Sequence, residues 1–262
     1  MKALSQKRRH PLAAIALLLM GLLLTGGLYA VATTVNQAKA STTEFSASDT
    51  EEGEKLFAAN CATCHGMGAG GTQDGPSLVG VGAAAVDFQV GTGRMPMQMN
   101  GPQAYEKPAQ FNEQQTHQLS AYVASLGAGP AIPEAALLDE QGDAAKGGEL
   151  FRTNCAMCHN AAAAGGALTR GKFAPALADT SGKHIYEAMA TGPQNMPVFS
   201  DSNITPEGKR DIVTFLKQIE TTGSPGGADL GALGPVSEGL FVWIAGLGVI
   251  IAFTIWLTSR TS

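Results

Sequence analysis

Two apolar runs bracket this chain, and between them hydrophobic residues recur at the three- and four-residue spacing of helices buried on one face. The first run is uncharged from His10 to Ala38, with its apolar heart from Leu12 to Val31. That is about the ~20 residues a membrane-crossing helix needs, and longer than the ~7–15 of a secretory apolar region. Ala38-Lys39-Ala40 is nonetheless a small-x-small cleavage pattern, so residues 1–40 read as an N-terminal transmembrane anchor or a signal sequence. Under either reading Lys2, Lys7, Arg8 and Arg9 hold the N-terminus in the cytoplasm, and the body of the chain beyond the run is exported. The second run, Leu240 to Leu257, has 18 residues without a charge, Trp243 and Trp256 near its ends, and Arg260 beyond. It predicts a membrane helix with a cytoplasmic C-terminus.

Inside these runs the pattern predicts helices with defined starts. Residues 32–47 are polar and read as a tether, after which Ser48-Asp49-Thr50-Glu51 predicts a capping box, Ser48 capping and Glu51 returning the bond. Leu56 and Phe57 lie on the buried face of that helix. Asn112 with Gln115 starts a second helix that carries Leu119, Tyr122, Val123 and Leu126 on one side. Thr205 and Pro206 start a third, with Ile212, Phe215, Leu216 and Ile219 at the same spacing. The expected organisation is mainly α, with domains over 48–126 and 141–220, a linker at 127–140, a Gly-rich tether at 221–234, and a C-terminal transmembrane helix at 235–258.

Composition adds a constraint. With 33 glycines in 262 residues and only 6% aromatics, any core made of side chains alone is small, and domains of roughly 80–100 residues would be marginal without something more to pack on. The net charge of −5 conceals an asymmetry: all 22 acids lie between Glu44 and Glu238 with 11 basic residues, so this body carries −11 and is a poor partner for nucleic acid. Residues 48–126 hold three basic and eight acidic side chains, whereas 141–220 hold eight of each. A basic partner would therefore prefer the first domain.

The chemistry lies in Cys61-Ala62-Thr63-Cys64-His65 and its second copy Cys155-Ala156-Met157-Cys158-His159. Two thiols three residues apart on a helical turn match the two vinyl groups of one haem, and the histidine next in sequence is placed to bind the iron. Paired cysteines also suit zinc or a redox disulfide. Against those readings, Gly53, Leu56, Phe57, Asn60 and Cys61 recur as Gly147, Leu150, Phe151, Asn154 and Cys155 at a constant offset of 94, an internal duplication. The motifs use all four cysteines and predict two covalently bound c-type haems.

Downstream features are paired as well. A glycine-rich loop, Gly66 to Gly75, lets the backbone approach a haem closely. Pro76 has a counterpart in Pro175, and a proline carbonyl there would accept the Nδ1 hydrogen of the haem histidine, unless these are ordinary loop prolines. Met-Pro pairs come after each histidine, Met95-Pro96 after 30 residues and Met196-Pro197 after 37. A thioether is a soft axial ligand that raises the potential of an electron carrier. Met196 is the candidate for the second iron and Met95 for the first, with Met97 and Met99 as alternatives. Met67, Met157 and Met189 read as core fillers, and His117 and His184 as solvated or partly buried side chains rather than ligands.

The whole order resembles the di-haem cytochrome c subunit of actinobacterial cytochrome bcc complexes. The resemblance rests on the N-terminal run, the two Cys-x-x-Cys-His motifs with Met-Pro, and the closing Gly234-Pro235-Val236-Ser237-Glu238-Gly239-Leu240-Phe241-Val242-Trp243. It implies two tandem class I-like cytochrome c domains held outside the cytoplasm. It also implies a place in a menaquinol–cytochrome c reductase, with a cytochrome b subunit, a Rieske iron-sulfur protein and a terminal oxidase as partners. The chain itself would carry electrons, with no quinol site of its own. A membrane-bound cytochrome c serving another oxidase or dehydrogenase, and a di-haem peroxidase, are the competing functions.

Overall fold

A computed structural model describes residue 15 and residues 17–27, 45–99, 101–222 and 235–259. Contacts divide the chain into two units, Met1–Thr42 and Thr43–Ser262. In the first, Leu17–Gly27 is an apolar helix. The rest of the predicted N-terminal segment, most of the 32–47 tether and residues 223–234 lie outside the described residues.

The second unit opens with α1 (Ala47–Asn60) and the one-turn α2 (Ala62–His65), then α3 (Ala83–Gly91) and α4 (Glu113–Ser125). The second half repeats this as α5 (Ala144–Asn154), α6 (Ala156–His159), α7 (Gly182–Thr191) and α8 (Pro206–Thr222). Between α6 and α7 lies a small antiparallel hairpin, β1 (Gly166–Ala167) paired with β2 (Phe173–Ala174). The chain is mainly helical, as its hydrophobic spacing predicts.

The start of α1 corrects the expected cap. Ser46, not Ser48, caps it: its hydroxyl accepts from Asp49 N at 3.0 Å, and the Asp49 carboxylate accepts from Ser46 N at 3.3 Å. Asp at the third helical position completes the box as Glu would, so the helix begins before Ser48 and takes it into the first turn. Asn112 and Gln115 form the predicted reciprocal box on α4, and Thr205 Oγ1 accepts from Gly208 N at 3.1 Å ahead of α8.

In each half the opening helix crosses the closing one, α1 on α4 and α5 on α8. The duplicated glycines are where they touch. A Cβ on Gly53 would lie 1.9 Å from Gln118 O, and one on Gly147 would lie 1.9 Å from Asp211 O. One turn on, the duplicated phenylalanines fill the two cores: Phe57, 1% exposed, tilts against Tyr122, and Phe151, 0% exposed, tilts against Phe215. Leu119 and Val123 complete the first core, and Ile185, Met189, Ile212 and Leu216 the second. Of the three methionines expected in the core, only Met189 is there. Met67, in the loop after α2, and Met157, on α6 beside the second cavity, are exposed.

The linker is packed at both ends. Pro130 O accepts from Ala84 N at 3.1 Å, Leu137 and Leu138 pack on the second core, and Asp139 receives two bonds from Arg210 at 2.7 and 2.8 Å. At the C-terminus α9 (Pro235–Ser259) includes a 21-residue stretch, Gly239–Ser259, of mean hydropathy 2.4, long and apolar enough to anchor the chain in a membrane.

The crossings generate a prediction. Gly53→Ala and Gly147→Ala force backbone apart in the first and second half respectively, and each should cost about 1–3 kcal/mol. Thermal unfolding of the purified chain checks this, and an unchanged midpoint for both would refute the close approach.

Candidate haem sites

Each motif is built by the end of a buried helix. Cys61 terminates α1, its N–H donating to Phe57 O at 2.8 Å, and His65 N then donates to Cys61 O at 3.0 Å. The second copy repeats this, Cys155 N to Phe151 O at 2.8 Å and His159 N to Cys155 O at 2.9 Å. The buried Phe thus anchors the turn from which two thiols and an imidazole project.

The loop after each histidine is copied in its backbone too. Gly66 and Asn160 have φ of 78° and 67°, Ala69 and Ala163 have 55° and 57°, and Gly71 and Gly165 have 89° and 81°. Every pair keeps the offset of 94. These left-handed positions curl the chain back so that Pro76 O and Pro175 O meet the histidines, 2.8 Å from His65 Nδ1 and 2.9 Å from His159 Nδ1. A carbonyl only accepts, so Nδ1 carries the hydrogen and Nε2 keeps a free lone pair. Burial lowers the pKa of His159, partly opposed by the Pro175 bond, and keeps this imidazole neutral.

The offset then changes. It is 94 at Gly71/Gly165 and 99 at Pro76/Pro175, so the second copy carries five extra residues in this loop. They accompany the β1–β2 hairpin and the 3-10 turn Thr169–Gly171 that it encloses, neither of which has a counterpart in the first half.

Met196 lines one cavity with Cys155, Cys158 and His159, and packs on the second core. Met95 packs on the first core together with Cys61. Met97 is half-buried without joining that core, and Met99 is 79% exposed. The walls of the second cavity are apolar, from Phe151, Leu168, Phe173, Leu177 and Leu216. A neutral imidazole nitrogen, a thioether, two thiols and this apolar wall fit a covalently held haem. They fit the alternatives poorly. Burial pushes the Cys61 and Cys155 thiols up to about 11, opposite to the depressed thiol of a redox Cys-x-x-Cys, and among the described residues no cysteine joins a cluster of three metal-ligating groups.

Sequence reasoning missed what the first half contributes to the second cavity. Phe88, Arg94 and Gln103 line it. The Arg94 side chain is buried, stacks over Phe88 at 4.9 Å and pairs with Glu106 at 3.2 Å; burial lowers its pKa, which Glu106 partly restores. Two glutamines stitch the halves together. Gln103 Nε2 donates to Phe173 O and its Oε1 accepts from Phe173 N, both at 2.9 Å. Gln194 does the same to Ala104, Nε2 to O at 3.0 Å and Oε1 from N at 3.1 Å. Tyr105 stacks on Phe173 at 5.7 Å. His184 faces Asp87 and the edge of Phe88 and lines the second cavity, and His117 lies against Phe45; neither is paired with His65 or His159.

Comparison with known proteins agrees with this geometry. The family described as cytochrome c oxidase, cbb3-type, subunit III matches residues 48–123 and again 142–216. The chain is 48% identical over 230 residues to the cytochrome bc1 complex cytochrome c subunit of Corynebacterium efficiens, covering 80% of this chain and 76% of that protein. It is 42% identical over 263 residues to the subunit of the same name from Mycobacterium tuberculosis, covering 98% and 94%. Over 136 residues, 48% of this chain, it is 34% identical to the cbb3-type cytochrome c oxidase subunit FixP of Sinorhizobium medicae. A duplicated cytochrome c fold, an apolar C-terminal helix and near full-length identity together make this chain a member of the family of cytochrome c subunits of cytochrome bc1 complexes, membrane-associated haem c proteins of electron transport.

Proposed function

We propose that the chain carries two haems and relays electrons within a quinol–cytochrome c reductase, from a Rieske iron-sulfur protein through the first haem to the second, and on to a terminal oxidase. The observation that carries this reading is the duplicated, carbonyl-locked histidine, once at His65 with Pro76 and once at His159 with Pro175. Haem c supplies the one-electron iron couple. Cys61 and Cys64 would hold the first group and Cys155 and Cys158 the second, with His65 and Met95, and His159 and Met196, as the axial ligands. The Pro carbonyls fix the imidazole tautomer, and the two thioethers favour the reduced state.

The join between the halves supports a fixed relay. Arg94 precedes Met95 directly and reaches the wall of the second cavity, so one short segment serves both sites. The Gln103 and Gln194 pairs hold that segment to the second half through four hydrogen bonds. The excess of acid over base in 48–126 favours docking of a basic donor at the first domain. Quinol oxidation belongs to the cytochrome b subunit in this reading, and the C-terminal anchor, joined by an N-terminal one if residues 1–40 are retained rather than cleaved as a signal sequence, keeps the haem domains on the extracytoplasmic side of the plasma membrane.

The test is a reduced-minus-oxidised visible spectrum, with haem counted per polypeptide after extraction in mild detergent. Two c-type haems travelling with b-type haem and a Rieske protein are expected. Two without b-type haem would make the chain a carrier for another oxidase or dehydrogenase, and none would overturn the haem reading. Met196→Ala should keep both haems attached, lower one potential and open that iron to carbon monoxide. An unchanged carbon monoxide response would remove Met196 from the ligand set.

A further inference from the structure

Beside the second haem cavity, whose wall includes His184, three metal-ligating side chains converge where the halves meet. Asp87 comes from α3 of the first half, and His184 and Glu187 come from α7 of the second, with one ligand atom of each lying within 4.8 Å of the others. An ion at their centre would therefore sit no more than about 2.8 Å from each, within 1 Å of the ~2.0–2.2 Å of zinc bonds to nitrogen and oxygen. Gly91 permits the approach of the helices: a Cβ there would lie 3.0 Å from His184 Nε2.

Glu187 is the anomaly that needs explaining. It is 0% exposed, and neither carboxyl oxygen has a hydrogen-bond partner among the described residues. A buried carboxyl group left that way costs several times what an ordinary hydrogen bond contributes. Asp87 Oδ2 also lacks a hydrogen bond, although Lys183 Nζ lies 2.6 Å from it as an ion pair, and that lysine reaches no further acid among the described ion pairs. Burial and the nearby Asp87 push the Glu187 carboxyl up to about 10, so in the absence of a cation it is protonated. One proton shared with Asp87 would satisfy one oxygen of Glu187 and leave the other bare. It would also leave unexplained why His184 turns Nε2 to within 3.8 Å of Asp87 Oδ2. Burial lowers the His184 pKa and Lys183 lowers it further, against the opposing charge of Asp87, which leaves a neutral imidazole suited to a metal.

We propose that Asp87, His184 and Glu187 form a binding site for a divalent cation of the zinc class, which clasps the first haem domain to the second. One imidazole and two carboxylates are a borderline-hard donor set that suits Zn2+, with water as a fourth ligand. The side chain of Lys183, 39% exposed, gives the ion a path from solvent, and His184 borders the second cavity. Two negative carboxylates, one ammonium and the dication leave the cluster at about +1, against two buried acids competing for one lysine without it.

The test uses the full chain purified in detergent, stripped with chelator and dialysed against Zn2+ at neutral pH, with zinc counted per polypeptide by elemental analysis. The wild type should bind one saturable equivalent. Asp87→Asn and Glu187→Gln, which keep shape and remove a ligand from opposite halves, should each weaken it by at least the ~10–100-fold that loss of an outer-shell partner costs. Zinc should also raise the thermal midpoint of the wild type and leave that of both variants in place. Absence of a saturable equivalent in the wild type, or equal binding by both variants, would overturn the proposal. So would an infrared band of a protonated carboxyl group, assigned by its loss in Glu187→Gln, that persists in the zinc-saturated wild type.

Discussion

The hydrogen bond from each histidine to a proline carbonyl is the constraint around which both halves are arranged. An imidazole on a one-turn helix can rotate about two bonds, and binding an iron needs one orientation and one tautomer. His65 and His159 obtain both from Pro76 and Pro175, at 2.8 and 2.9 Å. The carbonyl can be there only because the intervening loop turns back on itself through three left-handed residues, repeated in each half. The histidine in turn is held by the end of α1 or α5, whose buried Phe57 or Phe151 fixes the turn to the core. Helix crossing, motif turn, return loop and imidazole thus form one chain of dependence, built twice.

Where the copies diverge, the molecule has gained its join. The five extra residues in the second return loop leave its carbonyl hydrogen bond intact, because the loop is re-closed by Leu177 N to Ala163 O at 2.9 Å, as Leu78 N closes on Ala69 O at 2.8 Å in the first. What the insertion adds is the hairpin, and its Phe173 presents both backbone groups to Gln103 and its ring to Tyr105. A glutamine amide matches a peptide group donor for acceptor, so each Gln pair acts as a single rung of sheet between two helical domains. Gln194 returns the same pairing to Ala104. The first half reciprocates by sending Phe88 and Arg94 into the wall of the second cavity.

The features legible in the amino-acid sequence divide along the same line. Periodicity gave the helices, and the duplication gave the haem motifs, because Gly53, Phe57 and Cys61 are fixed by contacts within one small domain and recur together. The Pro carbonyl was legible because its geometry is short-range. Ser46 was missed because Asp49 completes the capping box as well as Glu51 would, and a single sequence does not say which acid turns back. Met67 and Met157 were misread because spacing does not reveal whether a residue in or just after a one-turn helix is covered by the core. The join was illegible for a stronger reason. Gln103, Gln194 and Phe173 are 70 or more residues from their partners, carry no motif and look like surface residues until the two halves are docked.

Docking also changes how the charge of the first domain should be understood. Its excess of acid includes Asp87, which is buried and neutralised across the join by Lys183 at 2.6 Å. It includes Glu106, whose carboxylate serves the buried Arg94. Asp87 is therefore committed to holding the halves together, whereas Glu106, 64% exposed, is offset by Arg94 within its own half. Among the other acids, Glu51, Glu52 and Glu54 of α1 are exposed, with Lys55 bridging the first two at 2.9 Å. Exposed pairs of this kind are weak and screened by salt, so they leave the negative potential of that surface available to a basic partner. Attraction through such a surface acts on the rate of encounter more than on the strength of the complex, which is what the proposed docking of a basic electron donor at this domain would need.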